Sequence, residues 1–355
     1  MRALVLEDFG RLVVAERDDP TPAPDEVTIR IIATGICGSD IHGYTGENGR
    51  RVPGQIMGHE TVGVVEALGA SVARADLRPG VTVTVNPVIL PPEDLDEYAG
   101  REQHDPGKRV LGVAPELVSA FAEKIVAPAR NVHVLPPTMP ALYGALIEPL
   151  AVAVNAVRRS GAAPGDAVFV AGGGPIGQSV VLALQMAGIT EVIVSEVAPE
   201  RRDLVEQLGA IVIDPADGAA SEAVMTAFGR AADVAIDAVG ITETLRGALE
   251  STRLGGTVCL VGMGSPLLSL DAFAVSTAER TIVGSFTYTD ADFAAAVAWM
   301  SQGPAAADAL ISECVGIDGA DAAFGRLCGG GGVPGKILIV LDPAHLSGHT
   351  GSTTR

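Results

Sequence analysis

A run of glycines between a strand pattern and a helix pattern constrains this 355-residue chain more than any other feature. Val168-Phe169-Val170-Ala171 leads directly into Gly172-Gly173-Gly174-Pro175-Ile176-Gly177, and the helical pattern Gln178–Ala187 follows. Glycine at 172 permits a tight turn. At 174 it lets the backbone approach a pyrophosphate, and at 177 it lets the helix pack on the strand; Pro175 and Ile176 open the helix. The helix N-terminus then offers unpaired N–H groups and the positive end of its dipole to an anion. The next strand, Glu191–Ser195, ends at Glu196, 19 residues past Gly177. A carboxylate there accepts hydrogen bonds from ribose hydroxyls and repels a 2′-phosphate, which favours NAD over NADP. Arg201 and Arg202 stand close by, and an arginine can accommodate that phosphate, so Arg201 is counted among the cofactor contacts.

The rest of the chain is organised around this loop. Residues 1–135 contain short β-type runs broken by Gly and Pro, such as Val27–Ile32, Thr61–Val65 and Val81–Val85. The texture changes near Leu142: Leu146–Val157 is helical in composition, and strands and helices then alternate. Ala167–Ala171, Glu191–Ser195, Val234–Asp237 and Gly256–Val261 read as buried parallel strands; Pro199–Leu208 and Thr242–Ser251 read as helices between them. The expected class is α/β: a doubly wound parallel sheet over 148–282, inserted in a β-rich domain formed by 1–147 and 283–355. Lys336–Leu341 reads as a last strand, and 344–355 as a frayed tail. Ala238-Val239-Gly240 and Val261-Gly262-Met263-Gly264 fall at strand ends, where ligands of parallel sheets bind; Val239, Val261 and Gly262 are expected cofactor contacts.

Composition narrows the partners. The net charge of −19 repels phosphate backbones, so nucleic acid is not an expected partner. No uninterrupted apolar run reaches the roughly 18 residues of a membrane span, and the N-terminus turns acidic too early for a secretory signal. A cytoplasmic protein without a membrane partner is expected. Four scattered cysteines without a CxxC fit a reducing compartment.

Two segments of the β-rich part concentrate metal-binding chemistry: Gly35-Ile36-Cys37-Gly38-Ser39-Asp40-Ile41-His42 and Met57-Gly58-His59-Glu60. Thiolate, imidazole and carboxylate together suit Zn²⁺, and three protein ligands leave a position for substrate. Each residue also has a plainer reading: a lone Cys is often a small buried hydrophobe, and a His-Glu pair a satisfied polar site.

Those two segments, with Gly144-Ala145-Leu146-Ile147-Glu148-Pro149-Leu150 and then the glycine loop, occur in an order that resembles the zinc-containing medium-chain dehydrogenases. The sorbitol, threonine and butanediol branch is the most similar, and the resemblance covers nearly the whole chain. It implies a GroES-like catalytic domain beside a Rossmann domain, with zinc on Cys37, His59 and Glu60. It implies that Glu148 either ligates zinc or holds its water, and that Asp40 orients the zinc-bound imidazole. Ser39 corresponds to the hydroxyl contacting the substrate oxygen, and His42 to the outer end of a proton relay. The implied reaction is hydride transfer from a secondary alcohol (polyol, diol, amino alcohol or cyclitol) to NAD, with His42 delivering the proton to solvent. A homodimer or homotetramer is implied, joined through exposed strands of the coenzyme domain.

The chain departs from that family in two places. Many relatives hold a second, structural zinc with four cysteines. The corresponding stretch here, 86–112, has none, so one zinc per chain is expected; His104 among its carboxylates is read as part of a solvated loop. Sorbitol dehydrogenases carry Phe-Arg where this chain has Phe286-Thr287-Tyr288. Phe286 is counted as a cofactor contact, while Thr287 lacks the charge and reach of arginine, which counts against sorbitol itself. Tyr44 is read as bordering the pocket or as packing only, and Cys259, Cys314 and Cys328 as buried thiols. The competing readings are a zinc-free reductase of the same fold and a non-catalytic dinucleotide-binding protein.

Overall fold

The computed structural model describes residues 1–47, 49–330 and 332–348. It divides into two compact units, Met1–Glu148 with Phe293–Arg355, and Pro149–Asp292. The last residues of the expected frayed tail, 349–355, lie outside the described residues. Its earlier part forms a short 3₁₀ turn, Pro343–Gly348.

The Pro149–Asp292 unit is built on six parallel strands in the order Ile211–Ile213, Glu191–Ser195, Ala167–Ala171, Ala232–Asp237, Thr252–Leu260 and Thr281–Gly284. Ala167–Ala171 is buried along its whole length, as a strand covered on both faces must be. Chain order runs outward in both directions from this strand and its neighbour Ala232–Asp237. The order of connection therefore switches direction between them, and parallel sheets bind ligands at the carboxyl ends of the strands at such a point. The helix Pro175–Met186 starts there with proline in its first turn, a position needing no backbone N–H.

The other unit holds a seven-stranded mixed sheet. Its path runs Ile311–Gly316, Lys336–Val340, Glu26–Gly35, Glu60–Leu68, Thr82–Val85 and Val132–Val134, and Lys124–Pro128 also pairs with Glu26–Gly35. Strands from both ends of the chain lie side by side, Leu338 facing Gly35 and Gly35 facing Glu60. Leu4, Leu6, Ile29, Ile31, Phe121 and Phe324 fill the core beneath.

Several sequence expectations change here. Ala141–Ser160 is continuous helix, 3₁₀ then α, and by length and composition it is apolar enough to cross a membrane; 78% of it is buried, which makes it a core helix. The 86–112 segment is less solvated than its charges suggest: Asp105, Glu102 and Gln103 are buried, while His104 is exposed. Gly112 packs on Gly58, where a Cβ would lie 2.8 Å from the Gly58 oxygen. Of the three cysteines read as buried, Cys259 is, Cys314 is half-buried and Cys328 is exposed.

His133 sits in the Val132–Val134 strand with its ring 5.0 Å from that of Phe293. Burial, then the charge of Arg74, lowers its pKa to about 4. An unfolded chain takes up this proton near pH 6.5 and the folded one does not. Stability is therefore whole above about pH 6.5 and is lost as pH falls toward about 4, by about 3 kcal/mol. His133→Phe keeps a ring on Phe293 and is expected to flatten this limb of a denaturation series against pH. An unchanged slope between those pH values would rule the group out.

Candidate functional site

The strand Glu26–Gly35 ends just before Cys37, and Cys37 caps the helix Gly38–Thr45. Asp40, in the first turn, accepts a hydrogen bond from the Cys37 backbone N–H through Oδ2 at 3.1 Å. This back-bond is half of a capping box and places the Cys37 thiol and the Asp40 carboxylate on one turn. His59 and Glu60 come from the start of the neighbouring strand. They follow Gly58, whose φ of 93° and whose approach to Phe121, 2.8 Å from a would-be Cβ, both exclude a side chain. Ala120 N–H donates to the Gly58 carbonyl and Phe121 N–H to that of Met57, holding the turn.

One ligand atom from each of Cys37, His59 and Glu60 lies within 4.8 Å of the others. His59 Nδ1 lies 3.6 Å from Asp40 Oδ1. The ring also hydrogen-bonds the Cys37 side chain. Burial opposes a charge on His59, but Asp40, then Cys37 and Glu148, hold its pKa well above that of a free imidazole. Glu148 is buried at the start of the helix Ile147–Ser160.

The sequence reading passed over two cations beside this group. Lys336, one of only three lysines in the chain, is buried and donates to Glu60 Oε1 at 2.7 Å, with Oε2 at 2.6 Å. Burial opposes its charge, yet Glu60, Cys37 and Glu148 raise its pKa. Gly35 makes room for the pair, since a Cβ there would lie 2.2 Å from Glu60 Oε2 and 3.0 Å from Lys336 Cε. The one sequence signal was a charged residue opening an otherwise apolar strand. Arg51 is also buried, with Nη2 3.9 Å from Asp40 Oδ1. With a metal bound, so that His59 is neutral and Cys37 a thiolate, the anions Cys37, Asp40, Glu60 and Glu148 would outnumber Arg51 and Lys336 by two charges. A divalent cation balances that difference. The donor set of thiolate, imidazole and carboxylate is one that zinc prefers.

The remaining candidates of this unit spread outward. Ser39 lies in the first turn of its helix and is half-buried. The His42 side chain is 43% exposed, with Nδ1 3.1 Å from Glu47 Oε2, so it can exchange a proton with water. Tyr44 packs into the core of its unit. It is buried, its hydroxyl donates to the Gly10 carbonyl at 2.5 Å and reaches Asp321 at 3.3 Å, and its ring packs on Phe324. The physical reason is its place on the helix face that meets the core, opposite the one carrying His42.

In the Pro149–Asp292 unit the glycine loop lies where the order of connection switches. Gly172 has φ 95°, and a Cβ on Gly177 would lie 1.9 Å from the Gly172 oxygen, so both positions require glycine. A Cβ on Gly174 would meet nothing nearer than Arg201 Nη1 at 3.7 Å, so the backbone there is open to approach. Glu196 is buried; Oε2 accepts from Gly173 N–H and Oε1 from Ala198 N–H, both at 2.8 Å. Arg202 is held by Asp214 at 2.7 Å and by the Glu196 and Val197 carbonyls. Val239 and Gly262 belong to two turns packed backbone on backbone, where a Cβ on Gly262 would lie 2.2 Å from Val239 C. Val261 N–H donates to the Asp237 carbonyl. Asp237, not singled out from sequence, accepts from Val239 and Gly240 N–H at 2.9 Å and fixes the first turn. Phe286 is half-exposed, and Asn155 Nδ2 donates to the Thr287 carbonyl at 2.8 Å, beside a Thr287 φ of 50°.

Comparisons with known proteins show the family of the chain. Residues 23–137 match the alcohol dehydrogenase GroES-like domain and residues 175–302 the zinc-binding dehydrogenase domain. The chain is 30% identical to sorbitol dehydrogenase of Gallus gallus over 352 residues, 96% of each chain. It is similar in structure to 2R,3R-butanediol dehydrogenase from Bacillus subtilis, with a TM-score of 0.86 and 30% identity over 96% of this chain and 99% of that one. A structure from Sinorhizobium meliloti 1021 bound to NADP is similar at a TM-score of 0.85 and 29% identity, covering 96% and 99%.

Proposed function

This chain belongs to the zinc-type medium-chain alcohol dehydrogenases, and from that premise we propose that it oxidises a secondary alcohol of the polyol, diol, amino alcohol or cyclitol class with NAD. It is an oxidoreductase of small-molecule alcohols that uses zinc and a nicotinamide cofactor. The observation that carries the finer reading is the approach of Cys37, His59 and Glu60 to within 4.8 Å, among charges that a divalent ion balances.

In this reading the unit Met1–Glu148 with Phe293–Arg355 is the catalytic domain and Pro149–Asp292 the coenzyme domain, which extends the expected 148–282 through the strand Thr281–Gly284. Cys37, His59 and Glu60 hold one zinc per chain, with Glu148 as a further ligand or the holder of its water. Held there, zinc would supply Lewis-acid polarisation of the alcohol oxygen, and a bound nicotinamide would supply the hydride acceptor. Ser39 takes the hydroxyl proton and passes it outward, and His42 releases it to solvent. Gly172, Gly174, Pro175, Ile176 and Gly177 cradle the pyrophosphate, and Val239, Val261, Gly262 and Phe286 line the remaining cofactor path. Glu196 supports NAD over NADP, because a buried carboxylate disfavours a second anion beside it, while Arg201 lies on the loop's open side. Thr287 supports a substrate other than sorbitol. A cytoplasmic homodimer or homotetramer completes the reading, with the edge strand Thr281–Gly284 as its contact.

Elemental analysis of fresh protein, then a panel of diols, polyols, amino alcohols and cyclitols with each nicotinamide cofactor, tests this. Expected are one zinc per chain and a kcat/KM with NAD at least about tenfold that with NADP, a difference of about 1.4 kcal/mol. Turnover that persists in zinc-free protein would instead favour the metal-free reductase reading.

A further inference from the structure

Five buried polar atoms in and beside the metal group lack a hydrogen-bond partner among the described residues: Glu60 Oε2, which has Lys336 Nζ as an ion-pair neighbour at 2.6 Å, and Asp40 Oδ1, His59 Nδ1, Arg51 Nη2 and Arg51 Nε. Three of them meet at one point. Asp40 spends Oδ2 on the Cys37 N–H, so only Oδ1 is left, 3.6 Å from His59 Nδ1 and 3.9 Å from Arg51 Nη2. Both gaps exceed a hydrogen bond by less than about 1.2 Å. Buried donors and acceptors are rarely left unmatched, and a guanidinium stays charged even in the interior. The stem of Arg51 is locked: it packs on Gly43, where a Cβ would lie 2.4 Å from Arg51 Cγ. Among the described residues the carboxylate paired with this guanidinium is that of Asp40, the one facing His59.

On the zinc reading of Cys37, His59 and Glu60, we propose that Arg51 is a positioning residue of the metal centre: it clamps Asp40 Oδ1, the same oxygen that faces His59, and so sets the orientation and tautomer of the imidazole. A metal on Nε2 leaves the ring proton on Nδ1, which gives Oδ1 a donor. The same oxygen then accepts from both the imidazole and the guanidinium, and all three residues become fixed. Arg51 touches neither substrate nor cofactor in this scheme. It acts through Asp40 alone.

Zinc competition with a chromogenic chelator, on holoenzyme and on Arg51→Met and Arg51→Lys, tests the idea. Arg51→Met is expected to bind zinc about 10–100-fold more weakly, the usual cost of losing an outer partner of a metal-bound histidine. Its kcat falls while KM for NAD stays put, the visible bands of its cobalt-substituted form shift, and Arg51→Lys recovers part of the affinity. Wild-type zinc affinity and an unshifted cobalt spectrum in Arg51→Met, with only a lower melting temperature, would show a purely structural arginine and overturn the proposal. Should that variant fail to fold, a crystal structure of the zinc-loaded wild type decides. Oδ1 within about 3.2 Å of both Nδ1 and Nη2 is expected, and a guanidinium still beyond about 3.5 Å overturns the clamp. A wild-type protein that binds no zinc at all would sink the metal reading itself, a separate result from any effect at position 51.

Discussion

Cys37→Ser is expected to purify with less than about a tenth of the wild-type zinc and to oxidise alcohols at least about 1,000-fold more slowly. Thiolate is the soft, anionic donor of the group, and a serine hydroxyl stays protonated at neutral pH and binds zinc poorly. Three decades of rate correspond to about 4 kcal/mol, the scale of charge stabilisation that a metal supplies to a developing oxyanion. Loss of rate and loss of metal should track one another across preparations. The pH dependence has a definite sign. His59 in the metal-free protein keeps its proton to higher pH than a free imidazole, so zinc must displace that proton. Apparent zinc affinity should therefore rise with pH through the neutral range and fall in acid. A Cys37→Ser protein with full zinc would mean that the metal sits elsewhere.

The second large effect concerns the pair beneath the metal group. Lys336→Met leaves the Glu60 carboxylate buried with no cation against it, and should destabilise the metal-free protein by about 3–5 kcal/mol, the usual cost of removing one partner of a buried ion pair. Removing the charge on both sides with Lys336→Met and Glu60→Gln should recover most of that loss, because the unpaired charge rather than the absent attraction dominates it. Denaturant midpoints of the metal-free single and double variants read this directly. Working without metal keeps Glu60's proposed zinc contact out of the comparison. A single variant as stable as wild type would mean that water already reaches Glu60, contrary to its complete burial.

Much of the arrangement was legible in the residues because its causes are local. The strand–glycine–helix sequence at 167–186 specifies its own conformation: a φ of 95° at Gly172 and helix packing at Gly177 need glycine wherever the segment lies. Cys37 and Asp40 are three residues apart on one turn, and Glu196 follows its strand at a spacing set by the βαβ unit. Tyr44 shows the limit of such reading. It lies two residues past His42, yet the helix turns it into the core, and no spacing rule says which face of a short helix the rest of the protein will cover.

What the sequence by itself determined was therefore the set of local devices: two fold classes in one chain, a phosphate-type loop, and three metal-type side chains with Asp40 three residues past one of them. Only the tertiary structure decided what neutralises them. Lys336 reaches Glu60 across 276 residues of chain because the last strand of the protein lies beside Glu26–Gly35, which in turn pairs with the strand that begins at Glu60. Arg51 reaches Asp40 because its stem fits against a glycine of another element. Burial and charge pairing depend on which distant segments share one interior, and that is a property of the packed chain rather than of any window within it.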